Sequence, residues 1–200
     1  MRKPYDTTAI GTLVLGVLCL LFPACAEVPR PLSQGSSVSE QPDQSLVFGR
    51  IAMIRDAEDR MTSLPSFPRS FGWELLEAHT GKKFVVDPLT ENGFFALPLP
   101  AGLYHVTKLR YEDRYGLWEG TLAASFSVKP GSLTYVGTWQ ITFAGLGPGV
   151  PIIGHTLNDL KEDRAEFEER YAIKTRPVTM ALLEAAPEGK FSLLRPRAEH

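Results

Sequence analysis

Residues able to do chemistry are few in this chain of 200 residues, and they are scattered. The four histidines, His79, His105, His155 and His200, belong to no His-Glu-x-x-His or comparable spacing that would set two ligands on one face. His105 would have to meet Glu74 or Glu77 across a sheet to begin a metal site. Such sites need three or more converging ligands, so a polar side chain on a solvated strand face accounts for it more simply. Asp56, Glu58 and Asp59 lack the alternation and closing glutamate of a calcium loop and read as a charged turn. Residues Gly145 to Gly154 are rich in glycine but lack the Lys-Ser/Thr ending of a phosphate cradle. No Gly-x-Ser-x-Gly elbow marks a serine nucleophile. The sequence therefore nominates no catalytic residue, no metal ligand set and no cofactor. One group suits recognition: the aromatic residues Tyr111, Tyr115 and Trp118, which at a loop end would stack on a sugar ring or anchor a protein partner. Packing of Trp118 into a core is the simpler account of that residue.

The elements that would position these side chains are mostly strands. Leu46 to Ile54, Phe71 to Ala78, Lys83 to Val86, Phe94 to Leu99, Leu103 to Tyr111 and Leu117 to Val128 are short runs rich in branched and aromatic residues, divided by Gly, Pro, Asn and charged turns. After Lys129-Pro130-Gly131-Ser132 comes the clearest alternation. Leu133, Tyr135, Trp139, Ile141 and Phe143 are expected to point one way, and Thr134, Thr138, Gln140 and Thr142 the other, as in a strand with one buried face. About seven such runs in about 100 residues predict a mainly β fold, an antiparallel two-sheet sandwich of prealbumin-like or Ig-like kind, over residues 45–145. Residues 146–155 read as a Gly/Pro linker. Residues 156–186 read as a helix followed by an extended segment, and 187–200 as a tail. Thr156 is the expected helix cap. Leu157, Leu160, Phe167 and Tyr171 form its apolar face, with Asp159, Glu162, Asp163, Glu166 and Glu169 covering much of the rest. Residues 177–186 suit either a strand or a second helix.

The amino-terminal residues carry the clearest message. Arg2 and Lys3 precede an uncharged run from Ile10 to Phe22, which fits the apolar core of a signal peptide and is too short to cross a bilayer as a helix. Phe22-Pro23-Ala24-Cys25 resembles the lipobox of bacterial lipoproteins, although Phe22 and Pro23 depart from its usual residues. That resemblance implies a signal peptide over residues 1–25, lipidation of Cys25 and, with Ala26 following, an outer-membrane destination facing the periplasm. Ala24-Cys25-Ala26 also fits a small-x-small cleavage site, which would release a soluble periplasmic or secreted protein beginning at Glu27. Cys19 and Cys25 are the only cysteines, so an unmodified Cys25 would be an isolated exported thiol, which favours the lipoprotein. Residues 26–44, with Pro29, Pro31 and Pro42 among serines and glycines, read as a tether. The net charge of -2 gives no footprint for nucleic acid.

Two further segments carry a resemblance. Asn92-Gly93-Phe94-Phe95-Ala96-Leu97-Pro98-Leu99-Pro100-Ala101-Gly102-Leu103-Tyr104-His105-Val106 looks like the strand–corner–strand of prealbumin-like (carboxypeptidase-regulatory-like) domains. Phe126 to Gly137 is similar to a later segment of bacterial lipoproteins that carry such a sandwich. The resemblance implies a fold and brings no catalytic residues with it. The resulting expectation is a lipid-anchored envelope protein acting as a non-catalytic binding or structural module, with the membrane and an envelope protein as partners. An envelope carbohydrate binder, with cell-wall carbohydrate as its ligand, and a hydrolase with an unrecognised site are the alternatives.

Overall fold

The computed structural model describes residues 45–55, 70–86, 93–112, 116–143, 150–171, 177–186 and 188–196. The signal-peptide, Cys25, tether and Tyr115 expectations lie outside these. Strands are β1 Leu46–Arg55, β2 Ser70–Glu77, β3 Lys83–Val86, β4 Phe94–Pro98, β5 Gly102–Glu112, β6 Gly116–Thr121, β7 Ala124–Val128, β8 Leu133–Phe143 and β9 Val150–Leu157. A helix, α1, follows at Leu160–Tyr171, and β10 Val178–Met180, β11 Glu184–Ala185 and β12 Glu188–Pro196 complete the described chain.

All 12 strands are hydrogen-bonded into one sheet. Its main path runs β11-β7-β5-β6-β12-β9-β8-β1-β4, with β2 and β3 joined through β5 and β10 joined to β8. The sheet is a single curled half-barrel. The two long strands, β5 and β8, organise it in the same manner. β5 has β2 along one side, and pairs with β7 through Gly102–Val106 and with β6 through Leu109–Glu112. β8 has β1 along one side, and pairs with β10 through Leu133–Tyr135 and with β9 through Thr138–Phe143.

Curling brings these halves face to face. Trp73 of β2 lies 5.1 Å from Phe95 of β4 and 6.1 Å from Trp139 of β8, ring centre to ring centre. Tyr104, Phe126, Phe84, Leu109 and Ile141 fill the same core. Each fully buried aromatic ring of this kind contributes roughly 1.5–3 kcal/mol, which explains why the concave side carries so many. Tyr104 keeps its hydroxyl satisfied by donating to the Pro100 carbonyl at 2.8 Å, fixing the β4–β5 corner that the Pro-Ala-Gly sequence marks. A second, smaller core lies on the convex side, where α1 places Phe167 and Tyr171 on Leu46, Phe48, Phe94, Ala96, Leu133 and Tyr135.

Four expectations require correction. The sheet is not antiparallel throughout, because β1 and β10 both run parallel to β8. Parallel pairing of this kind needs a long crossover rather than a hairpin, and neither β1 nor β10 is near β8 in sequence. Residues 150–155, read as linker, belong to β9; the breaker-rich stretch ends at Gly149, and Ile152 enters the main core. Residues 188–196, read as tail, form β12. Thr156 is not the helix cap: it lies in β9 and its hydroxyl donates to the Leu183 carbonyl at 2.7 Å.

The alternation in β8 also changes face midway. Phe48 pairs with Tyr135 and Arg50 with Thr138, so β8 carries one extra residue opposite Gly49. Leu133 and Tyr135 therefore join the convex core, whereas Val136, Trp139 and Ile141 join the concave one. Gly137 takes a φ of +91° at this bulge, a conformation that side-chain-bearing residues rarely adopt. A Cβ on Gly49 would stand 2.6 Å from the Gly137 carbonyl oxygen, so both glycines are required.

Candidate functional site

Register gathers Arg55, Ser70, Glu112, Gly116, Phe143 and Val150 at one end of the sheet. The aromatic group singled out from sequence belongs to this end. Tyr111 and Trp118 are direct cross-strand partners in the β5–β6 hairpin, and their rings stack at 5.8 Å and 4°. Trp118 is only 6% exposed and packs in the main core, with Tyr111 half-buried beside it. The hairpin thus brings Tyr111 and Trp118 together, but as core cover: the Trp118 ring has no free face for a sugar. Tyr115 lies outside the described residues.

The most elaborate polar arrangement is one that sequence reasoning missed. Asp163 of α1 is 1% exposed and points down onto the sheet. Its Oδ1 accepts from Arg50 Nε at 3.1 Å, and its Oδ2 accepts from the Tyr135 hydroxyl at 2.9 Å and the Thr138 hydroxyl at 3.0 Å. The Tyr135 oxygen in turn accepts from the Asp159 backbone N–H at 3.0 Å, tying down the entrance to the helix. Glu166, one turn on, sits between Arg50 and Arg170 and pairs with both. The two guanidinium groups lie over the Phe94 ring, at 5.5 and 5.2 Å.

The electrostatics follow from this arrangement. Burial alone would lower the Arg50 pKa, but the hydrogen bond to Glu166 and the charges of Asp163 and Glu166 outweigh it and raise the value. Burial, then the neighbouring Asp163 charge, pushes the Tyr135 phenol well above its ordinary range, so it stays a donor. An unpaired charge buried here would cost several kcal/mol, and complete pairing is what makes the arrangement tolerable. A sequence signal existed: Asp163 stands three residues after Leu160 and four before Phe167, on the apolar stripe rather than the wetted face.

The second buried carboxylate, Glu77, serves the β2–β3 turn. It accepts from the His79 and Thr80 backbone N–H groups at 3.1 and 2.6 Å and from the Thr80 hydroxyl. These hydrogen bonds, led by the Thr80 hydroxyl, hold its pKa down to about 2. His105 does not meet Glu74 or Glu77. It is exposed and opposite Leu76, while Glu74 accepts from the Thr107 hydroxyl at 2.9 Å and pairs with Lys83. Among the described residues no group of three or more His, Cys, Asp or Glu side chains is placed to hold a metal ion. Among them, too, no helix is long and apolar enough to cross a membrane. The chemistry that Asp163 and Glu77 can do is thus accounted for by holding elements together: each oxygen of either carboxylate already accepts from a donor of the protein. Comparison with protein-family models, with curated proteins and with solved structures gave no match.

Proposed function

We propose that this chain is a lipid-anchored cell-envelope protein whose β domain is a non-catalytic binding or structural module. The observation that carries the reading is the uncharged run Ile10 to Phe22 followed by Pro23-Ala24-Cys25, with no cysteine after Cys25 to pair with it. The two buried carboxylates of the described residues, Asp163 and Glu77, are used to hold α1 and the β2–β3 turn in place, which is the part such groups play in a structural module. The face-to-face packing of the two halves across Trp73 and Trp139 supports a prealbumin-like sandwich as the finer description of the curled sheet. Its partners are the membrane, through the acyl chains on Cys25, and an envelope protein. The alternative of stacking on cell-wall carbohydrate loses its largest ring with the burial of Trp118, and keeps only Tyr111 and Tyr115.

Cell fractionation tests the anchor. Wild-type protein is expected in the membrane fraction and the Cys25→Ser variant in the soluble envelope fraction or the leader-bearing precursor. Equal distribution of the two processed proteins between membrane and soluble fractions would overturn it.

A further inference from the structure

β10 is a strand of three residues, Val178–Met180, laid parallel to the first part of β8. Val178 and Thr179 are half-buried, whereas Met180 is 53% exposed. A methionine gains little by burial at such a position, so what sets it apart there is its sulfur. The other methionine of the described residues, Met53, is partly buried against the main core.

The Met180 sulfur is an acceptor in a defined contact. Asn158 Nδ2 donates to Met180 Sδ at 3.5 Å, while Asn158 Oδ1 accepts at 3.4 Å from the backbone N–H of Leu160, the first residue of α1. One side-chain amide therefore links the thioether to the start of the helix. The same helix start is tied to Tyr135, which accepts from the Asp159 N–H and is the cross-strand partner of Met180. A thioether is a weak acceptor, so the Asn158 amide is held only lightly while the sulfur is reduced. An oxygen added to that sulfur turns the weak acceptor into a strong, polar one beside the same donor.

We propose that Met180 is an oxidation site for hydroperoxides, and that its sulfoxide, by taking the Asn158 amide as donor, tightens the entrance to α1. In the reaction a lone pair on the sulfur attacks the terminal oxygen of the peroxide. The S–O bond forms as the O–O bond breaks, and the proton of the transferred hydroxyl passes to the departing oxygen. Sulfur loses two electrons to the peroxide, and the products are a sulfoxide and water, or an alcohol where the oxidant is an alkyl hydroperoxide. This inference does not depend on the anchor at Cys25.

Full-length protein treated with limiting hydrogen peroxide, and followed by peptide mass spectrometry and amide hydrogen exchange, provides the test. Met180 is expected to gain one oxygen about tenfold faster than Met53. Once it has, the amides of residues 158–165 are expected to exchange about threefold more slowly. In Asn158→Ala the oxidation rate of Met180 should hold while the slowing disappears, and in Met180→Leu peroxide should leave exchange at 158–165 unchanged. Oxidation of Met180 no faster than that of Met53 would overturn the proposal. Unchanged or faster exchange in the oxidised wild type would overturn it equally, as would a slowing that persists in either variant.

Discussion

Asp163 is the residue on which the placement of α1 turns. Truncation to alanine takes from Arg50 one of its two carboxylate partners and leaves the Tyr135 and Thr138 hydroxyls without their shared acceptor, and removing one partner of such a buried pair costs about 3 kcal/mol. Asp163→Ala is therefore expected to lower the guanidinium midpoint by that equivalent. Asp163→Asn, which keeps an acceptor for two of the three donors, should lose about half as much. Equal stability of wild type and the alanine variant would contradict the network. Glu77 provides a pH-dependent counterpart. Its folded-state pKa of about 2 lies below its ordinary 4.5, so its contribution is fully present above that ordinary value and is lost as pH falls from 4.5 through about 2. Glu74 and Glu119 are lowered in the same direction; burial opposes the shift in both, and Thr107 with Lys83, and Arg110 with Lys108, outweigh it. Thermal melts across this window should show a shallower acid loss in Glu77→Gln than in wild type, and an unchanged slope would contradict the assignment. Trp118→Ala should destabilise by about 3–5 kcal/mol, as loss of a buried indole does. A soluble, fully stable Trp118→Ala would return that ring to the surface.

At the level of elements, the existence of the earlier strands is readable, whereas that of β9 and β12, and the faces of β8, are not. The runs β1 to β5 stand out because branched and aromatic residues are bounded by breakers. β8 looks like one uninterrupted alternation because a bulge adds a residue without changing composition. Gly137 was its only mark, and a lone glycine in a strand does not reveal which way the neighbouring side chains turn. Gly137→Ala is expected to cost about 2–3 kcal/mol, from the positive φ and from a Cβ 2.7 Å from Thr156 Cγ2. A melting temperature equal to wild type would show that the bulge tolerates a side chain. The start of α1 was misplaced for a related reason. Thr156 has the chemistry of a cap, but Leu157 was wanted by β9 for pairing with Thr138, and tertiary pairing outweighed local capping preference. Asp163 looked solvated because an acidic residue is exposed by default, and its partner Arg50 lies 113 positions away.

For the whole molecule, sequence conveys the β class, because that is written in local composition. Closure of the sheet is written in pairings between distant segments, and nothing in residues 188–196 alone indicates that they join β6 to β9. The same limit applies to the proposed function: a module working by contact would leave no spaced set of catalytic groups to find. In the proposed arrangement this domain is held at the envelope membrane through Cys25, and the chemical state of the mature amino-terminus tests that directly. Mass spectrometry of protein purified from the native envelope should find an amino-terminal peptide beginning at Cys25 and carrying the mass of a diacylglyceryl group with its N-linked acyl chain. A mature chain beginning at Glu27, or one retaining Met1 and an unmodified thiol, would contradict it.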